Sequence, residues 1–338
     1  MHTLSGKRIV VTGGTGFVGG HLLPLLLSEG CKVTCIVRAS SKTSSLPPEV
    51  RPIVCDLSNG SHLHEALRDQ DILIHMAALL FGCAFTDYLS ANTQAAEVLC
   101  RTLADLGEQA PKTTLLLSSQ AASGPCSDPA GASDNLLPRP VSAYGWSKLL
   151  VERTFQSAYQ GRLVILRPSI IYGSGDRGLL PMFQGARFGF AVSPGFSRTF
   201  PVSCVHGADM AQAILCALAE NAHGVYHVSD GRTYTMDEFC REMYSALGKD
   251  GHIFHIPLPI MAFSAALSTC WVSLGRSLLG LPFLRGPNWN IDKYREARED
   301  GWICDSSRIR SELGFSPRYS LAMGMRECVD GYRRRGWL

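Results

Sequence analysis

The stretch Ile9-Val10-Val11-Thr12-Gly13-Gly14-Thr15-Gly16-Phe17-Val18-Gly19 decides the fold. Its β-branched start reads as a short buried strand. The glycines then make a tight turn, and His21-Leu22-Leu23-Pro24-Leu25-Leu26-Leu27 reads as a helix with Pro24 close to its first turn. Gly30 closes that helix, and Cys31 to Val37 is the next strand. Strand, glycine turn, helix and strand within about thirty residues form the unit that holds a dinucleotide. Glycine lets the backbone approach a pyrophosphate, and the helix N-terminus supplies free N–H groups and a positive dipole end.

Working outward, the second strand ends Val37-Arg38-Ala39-Ser40-Ser41-Lys42. An NAD site places an acid there for the ribose 2′-OH. Arg38 and its Ser/Lys neighbours suit a 2′-phosphate instead. NADP is therefore the expected cofactor, with NAD as the alternative. Two further strands follow, Pro52 to Leu57 and Asp71 to Ala78. A fifth, Thr113 to Leu117, runs into Ser118-Ser119-Gln120. Farther on, Ser142-Ala143-Tyr144-Gly145-Trp146-Ser147-Lys148 opens a helix that sets Tyr144 and Lys148 four apart on one face. An ammonium near a phenol favours the phenolate and pulls its pKa down from about 10. Such a tyrosine can exchange a proton with an alcohol or a carbonyl while a serine hydroxyl polarises the substrate oxygen.

Together these motifs resemble the extended short-chain dehydrogenase/reductase family, which includes nucleotide-sugar epimerases, dihydroflavonol reductases and 3β-hydroxysteroid dehydrogenases. Arg167-Pro168 followed by Tyr172-Gly173-Ser174-Gly175-Asp176, and Val205-His206-Gly207-Ala208-Asp209, match further family segments, as does Gly301-Trp302 onward. The resemblance implies an α/β fold: a Rossmann-type doubly wound parallel sheet with a smaller, mostly C-terminal substrate lobe. Residues 1–175 would be the NAD(P)-binding domain, with returning elements at about 202–230. Residues 176–201 and 231–338 would be the substrate lobe. It implies Ser119, Tyr144 and Lys148 as the catalytic triad, with Ser118 as the alternative serine. Gly13, Thr15, Gly16, Phe17, Val18, Gly19, Arg38, Asp56, Leu57, Ala77, Ala78, Tyr144, Lys148 and Pro168 would bind cofactor. His75 and Arg167 read as structural, Asp209 as a helix cap, and Asn92 as the opening of a helix. The family also suggests a homodimer through helices around 92–106 and 144–159, whose faces suit core packing equally well.

The remaining features bound the function. The chain has 338 residues, a net charge of +3 and 46% hydrophobic residues. That describes a globular protein with a sizeable core and gives nucleic-acid binding no support. The 12 cysteines are scattered without a C-x-x-C pair, so no metal site is expected. They suggest a reducing, cytoplasmic setting. Phe183 to Pro201 reads as an aromatic loop over a pocket, in which Arg198 is a candidate phosphate contact.

The stretch 256–284 is uncharged from Ile256 to Gly275. Ile260, Phe263, Leu267, Trp271, Leu274 and Leu278 form one stripe at helical spacing. Three readings stand: a helix packed in the lobe, a helix resting on a membrane or covering a lipophilic pocket, and a spanning helix. Pro257, Pro259, the serines and Arg276 argue against the last.

The expected function is an NADP-preferring oxidoreductase of a secondary alcohol or ketone, acting on a small molecule that is lipophilic if 256–284 rests on a membrane or covers a lipophilic pocket. Alternatives are a nucleotide-sugar epimerase or dehydratase with retained NAD, and a non-catalytic NAD(P)-binding protein.

Overall fold

The computed structural model describes residues 4–82, 84–196, 199–279 and 287–338. Arg198 and the 280–284 end of the apolar stretch lie outside the described residues.

The N-terminal unit forms in the predicted order, but its helix begins at Phe17, four residues earlier than read, so Pro24 lies in the helix interior and not near its first turn. Strand β1 (Arg8–Thr12) leads through the glycine turn into α1 (Phe17–Ser28), and β2 (Lys32–Val37) follows. Then come β3 (Arg51–Val54), α2 (Leu63–Leu67), β4 (Ile72–His75) and α3 (Phe85–Tyr88). A π-turn over Leu89–Thr93 joins α3 to α4 (Gln94–Leu106), so Asn92 sits in the kink rather than opening the helix. Next are β5 (Thr113–Leu117), α5 (Gln120–Ser123), α6 (Ala143–Ala158), β6 (Arg162–Pro168) and β7 (Ile170–Tyr172).

In the second half, α7 (Leu180–Arg187) and β8 (Phe190–Pro194) replace the loop expected over Phe183 to Pro201. Phe183 is fully buried there, so its aromatic ring is core and no pocket cover. The rest is β9 (Pro201–His206), α8 (Gly207–Cys216), β10 (Gly224–Val228), β11 (Thr233–Thr235), α9 (Met236–Leu247), β12 (His252–Ile256), α10 (Leu258–Leu279), α11 (Ile291–Ala297), α12 (Ser307–Leu313) and α13 (Leu321–Arg334).

Seven strands pair in the order β10-β6-β5-β4-β1-β2-β3, every pair parallel. The chain order reverses beside β1, where β2 lies on one side and β4 on the other. That crevice, at the C-terminal ends of the strands, is where an open α/β sheet binds its ligand. Strands buried on both faces need continuous apolar runs, and Ile9, Val10 and Val11 are all solvent-free. One face carries α1 and α8, the other α2, α4 and α6.

The three-stranded sheet β11-β9-β7 and the pair β12-β8 build the second lobe with α7, α9 and α13. Residue Asp209 does not cap its own helix. His206 does that through Ala208, while the Asp209 carboxylate accepts the Arg318 and Tyr319 N–H groups at 3.0 Å.

Candidate active site

Two loops meet over the sheet crevice. The first is the glycine turn. Gly13 has φ +77°, and a Cβ there would come within 2.8 Å of the Ala77 nitrogen, so only glycine lets β1 and the end of β4 close up. Thr12 and His75 fix that junction. The Thr12 hydroxyl accepts the Met76 and Ala77 N–H groups at 3.2 Å and meets His75 Nδ1 at 2.8 Å. Burial and the nearby Lys148 charge push His75 down to about 3. A neutral ring at working pH then accepts the threonine proton, so His75 is structural, as its sequence context suggests.

Gly16 precedes α1 with no side chain capping the helix, and the first turn carries no acid. The side chain of Phe17 turns away, toward Gly173 and Gly207. The N–H end of α1 is thus left to a ligand, which fits the pyrophosphate of a dinucleotide. Thr15, Val18 and Gly19 flank it, and Ala77 and Ala78 follow β4 beside it. Exposed Arg38 ends β2, its N–H bonded to Ser41 Oγ at 3.2 Å. Asp56 and Leu57 follow β3, and hydrogen bonds from Ser58 hold the Asp56 carboxyl below its usual range. Pro168 ends β6, buried.

The second loop runs from the end of β5. Neighbouring residues on an extended chain point to opposite sides, and this separates the two serines. Ser118 donates to Glu152 inside the protein. Glu152 takes two hydrogen bonds from Arg167, at 2.6 and 3.0 Å. Arg167 reaches Ser123, which meets His227 at 2.7 Å, and His227 meets Asp134 at 2.8 Å. Though serine, histidine and aspartate stand in line, Ser123 is solvent-free and engaged by Arg167, so it is no nucleophile.

Ser119 turns the other way. Its oxygen accepts Ala121 N–H at 3.1 Å, and the hydroxyl stands near enough to Tyr144 to help lower that phenol. Gly145 makes the approach feasible, because a Cβ there would meet the Ala121 carbonyl at 2.3 Å. Lys148, one turn along α6, donates to the Leu117 carbonyl at 2.6 Å. Burial lowers its ammonium to about 8, against the pull of Glu152. The structure therefore brings Ser119, Tyr144 and Lys148 together and turns Ser118 away.

Three residues of α11 complete the site, and no motif marks them. Asp292 accepts the Ala143 and Tyr144 N–H groups at 2.6 and 3.1 Å, capping α6 from outside. Glu296 accepts the Ser142 hydroxyl at 2.7 Å. Lys293, bonded to Glu296 at 2.8 Å, holds its ammonium 4.9 Å from the centre of the Tyr144 ring. Burial raises the Tyr144 phenol, while Lys293 and Ser119 offset that. Lys293 thus places a second cation near the phenol, in addition to the expected Lys148. Leu79, Tyr88 and Trp302 form an apolar surround for the tyrosine.

This architecture is that of a nicotinamide-dependent enzyme. The chain belongs to the NAD dependent epimerase/dehydratase family, whose model matches residues 9–229. It is an enzyme of the extended short-chain dehydrogenase/reductase type with an NAD(P) cofactor. It is similar to ceramide reductase of Caulobacter vibrioides, at 27% identity over 98% of this chain and 96% of that one. It is also similar to a 4-hydroxy-2-methyl-3-oxo-4-farnesyl-3,4-dihydroquinoline-1-oxide ketoreductase of Stigmatella aurantiaca, at 28% identity over 97% and 96%. Among solved structures, the dTDP-glucose 4,6-dehydratase DesIV of Streptomyces venezuelae shares the fold, with a TM-score of 0.77, 22% identity and 98% of each chain covered.

Proposed function

We propose that the protein is an NADP-preferring oxidoreductase that interconverts a secondary alcohol and a ketone on a lipophilic substrate, using Ser119, Tyr144 and Lys148. The observation that carries this reading is the buried Tyr144 phenol beside Ser119, over the crevice beside β1. A nicotinamide, when bound, supplies the two-electron step. The chain's own residues handle the proton. In reduction, Tyr144 gives its phenolic proton to the carbonyl oxygen while Ser119 donates a hydrogen bond to the same oxygen. In oxidation the proton returns to Tyr144. Lys148, with a proton that leaves near pH 8, orients the cofactor ribose and offers a route for that proton.

The N–H groups at the start of α1 would hold the pyrophosphate, with Asp56 and Leu57 beside the adenine. Ala77, Ala78 and Pro168 would border the nicotinamide side. Arg38, with no acid beside it, supports the 2′-phosphate and hence NADP. The apolar surround of Leu79, Tyr88 and Trp302 supports a lipophilic substrate. Ceramide and a farnesylated ring, named for the two relatives, are of that kind.

The test joins cofactor and proton. Protein purified and denatured should release little nucleotide, and the empty protein should bind NADPH more tightly than NADH. Near-stoichiometric NAD would favour the epimerase reading instead. Tyr144→Phe should lower turnover of lipophilic ketones by at least about a thousandfold and leave NADPH affinity unchanged. Undiminished turnover would sink the assignment.

A further inference from the structure

Helix α10 is built inside out. Three of its polar residues bond it to the fold. Ser264 accepts the Trp289 indole N–H at 3.0 Å, Ser268 donates to the Trp289 carbonyl at 2.8 Å, and Thr269 accepts the Ile291 N–H at 3.0 Å. Met261, Ala265 and Val272 are buried between them. Its outward residues are large and apolar. Phe263 is 72% exposed and Trp271 77%, and Ile260, Leu267, Leu274 and Leu278 are all exposed on the same stripe. A water-facing helix has the opposite pattern.

Exposed apolar residues also stand on the strand pair that leads into α10. In the β8–β12 pair, Ala191 packs on the lobe core, while Phe190, Val192 and Phe254 stand open to solvent. Phe188 and Phe196 are exposed at the two ends of β8.

Charge narrows the occupant. No Asp or Glu occurs in 177–208 or in 251–291, the two stretches that carry this surface, whereas arginine occurs in both. Arg187, Lys249 and Arg333 line one surface depression with Leu247 and Leu338, next in the chain to Phe188 and close before β12. A two-fold dimer would lay these two acid-free stretches and their basic neighbours on themselves, with Asp250 as the acid beside them in sequence. An anionic lipid surface offers the complementary charge together with an apolar medium for the aromatic side chains.

We propose that the outer face of α10, with the open face of the β8–β12 pair, docks the protein on an anionic lipid bilayer. Among the described residues α10 is the one helix long and apolar enough to cross a membrane. The three hydrogen bonds to residues 289–291 hold it along the surface of the lobe instead. In docking, Phe263, Leu267 and Trp271 enter the headgroup–acyl boundary, and Arg187 and Lys249 meet lipid phosphates.

The test is sedimentation of the full chain with vesicles. Most of the protein should pellet with phosphatidylcholine–phosphatidylglycerol vesicles, and less with phosphatidylcholine alone or in high salt. The triple variant Phe263→Ser, Leu267→Ser, Trp271→Ser should partition at least about tenfold more weakly, with NADPH titration unchanged as proof of folding. Wild-type protein left in the supernatant, or a variant that pellets equally, overturns the proposal. So does a dimer in light scattering that the triple variant splits and vesicles ignore, which would make this face a contact between copies.

Discussion

Helices α1 and α10 are both apolar along their length, yet they lie in opposite environments. In α1, Leu22, Leu23 and Leu26 are buried against the sheet and α8. In α10 the comparable stripe faces out. What differs is the surroundings. Next to α1 lie strands that are apolar on both faces and need a helix to cover them. Behind α10 lie Trp289 and the start of α11, held by two serines and a threonine of α10. An apolar stripe therefore reports a surface to be covered, and only the neighbouring elements say whether the cover lies in the same chain.

The sharpest way to break that contrast is to put the same polar residue in each stripe. Leu22→Ser loses a buried leucine and buries a hydroxyl, so it should cost about 4–6 kcal/mol of unfolding free energy. Phe263→Ser should shift stability by less than about 0.5 kcal/mol. Urea midpoints measure both. Equal costs would mean that α10 is covered within the protein in solution.

A second contrast concerns charge. In the cofactor half, Glu152 and Arg167 pair without water, at 1% and 4% side-chain exposure. Glu152→Ala leaves a buried guanidinium with Ser123 alone, and should cost about 3–5 kcal/mol. The lobe's exposed pair Arg241–Asp237 should be worth less than about 1 kcal/mol to the same measurement. A small loss at Glu152 would show that water or a relaxed Arg167 replaces it.

Legibility in the sequence divides along the same line. The β1–turn–α1 unit was readable because its signals are local: β-branched strand, glycines, uncapped helix start. Tyr144 and Lys148 were readable because four-residue spacing fixes a helix face. The choice between Ser118 and Ser119 turned on strand alternation and needed only the direction of one side chain. Asp292, Lys293 and Glu296 were not readable. Asp292 lies 149 positions from Ala143, and Asn290-Ile291-Asp292-Lys293-Tyr294-Arg295-Glu296 has the mixed charge of an ordinary surface helix. Nothing short of the tertiary fold brings it onto α6. The stripe of α10 was visible, but its direction was not, since an apolar period looks the same facing in or out.

Lys148 links stability to function in the cofactor half. Its ammonium loses the proton near pH 8 when folded and near 10.5 when unfolded. Below about pH 8 the folded chain carries the full burial cost of that charge, and the cost fades as pH rises toward 10.5, so wild-type stability gains over this window. The shift is worth about 3 kcal/mol, and losing the donor to the Leu117 carbonyl offsets about 1–2 of it. Lys148→Met should thus be inactive but about 1–2 kcal/mol more stable at pH 7, with the advantage gone by pH 10. Urea midpoints at the two pH values decide it. A variant less stable at pH 7 would mean that the ammonium is solvated in the empty site.

The smallest expected effect tests whether the substrate lobe takes part in the chemistry or only encloses it. Lys293 approaches the Tyr144 ring from α11, and removing its charge leaves burial to raise the phenol further. Lys293→Met should lower turnover in the oxidation direction about tenfold and move the rising, acid-side limb of its pH–rate profile to higher pH. NADPH affinity should stay as it was, because Lys293 belongs to the lobe and not to the cradle around α1. Lys293→Arg keeps the charge and should restore most of the profile. A purely structural lysine would behave otherwise: both variants would lose activity together and the pH profile would not move. Asp292 and Glu296 would then hold the N-terminus of α6 in place without help from the cation between them.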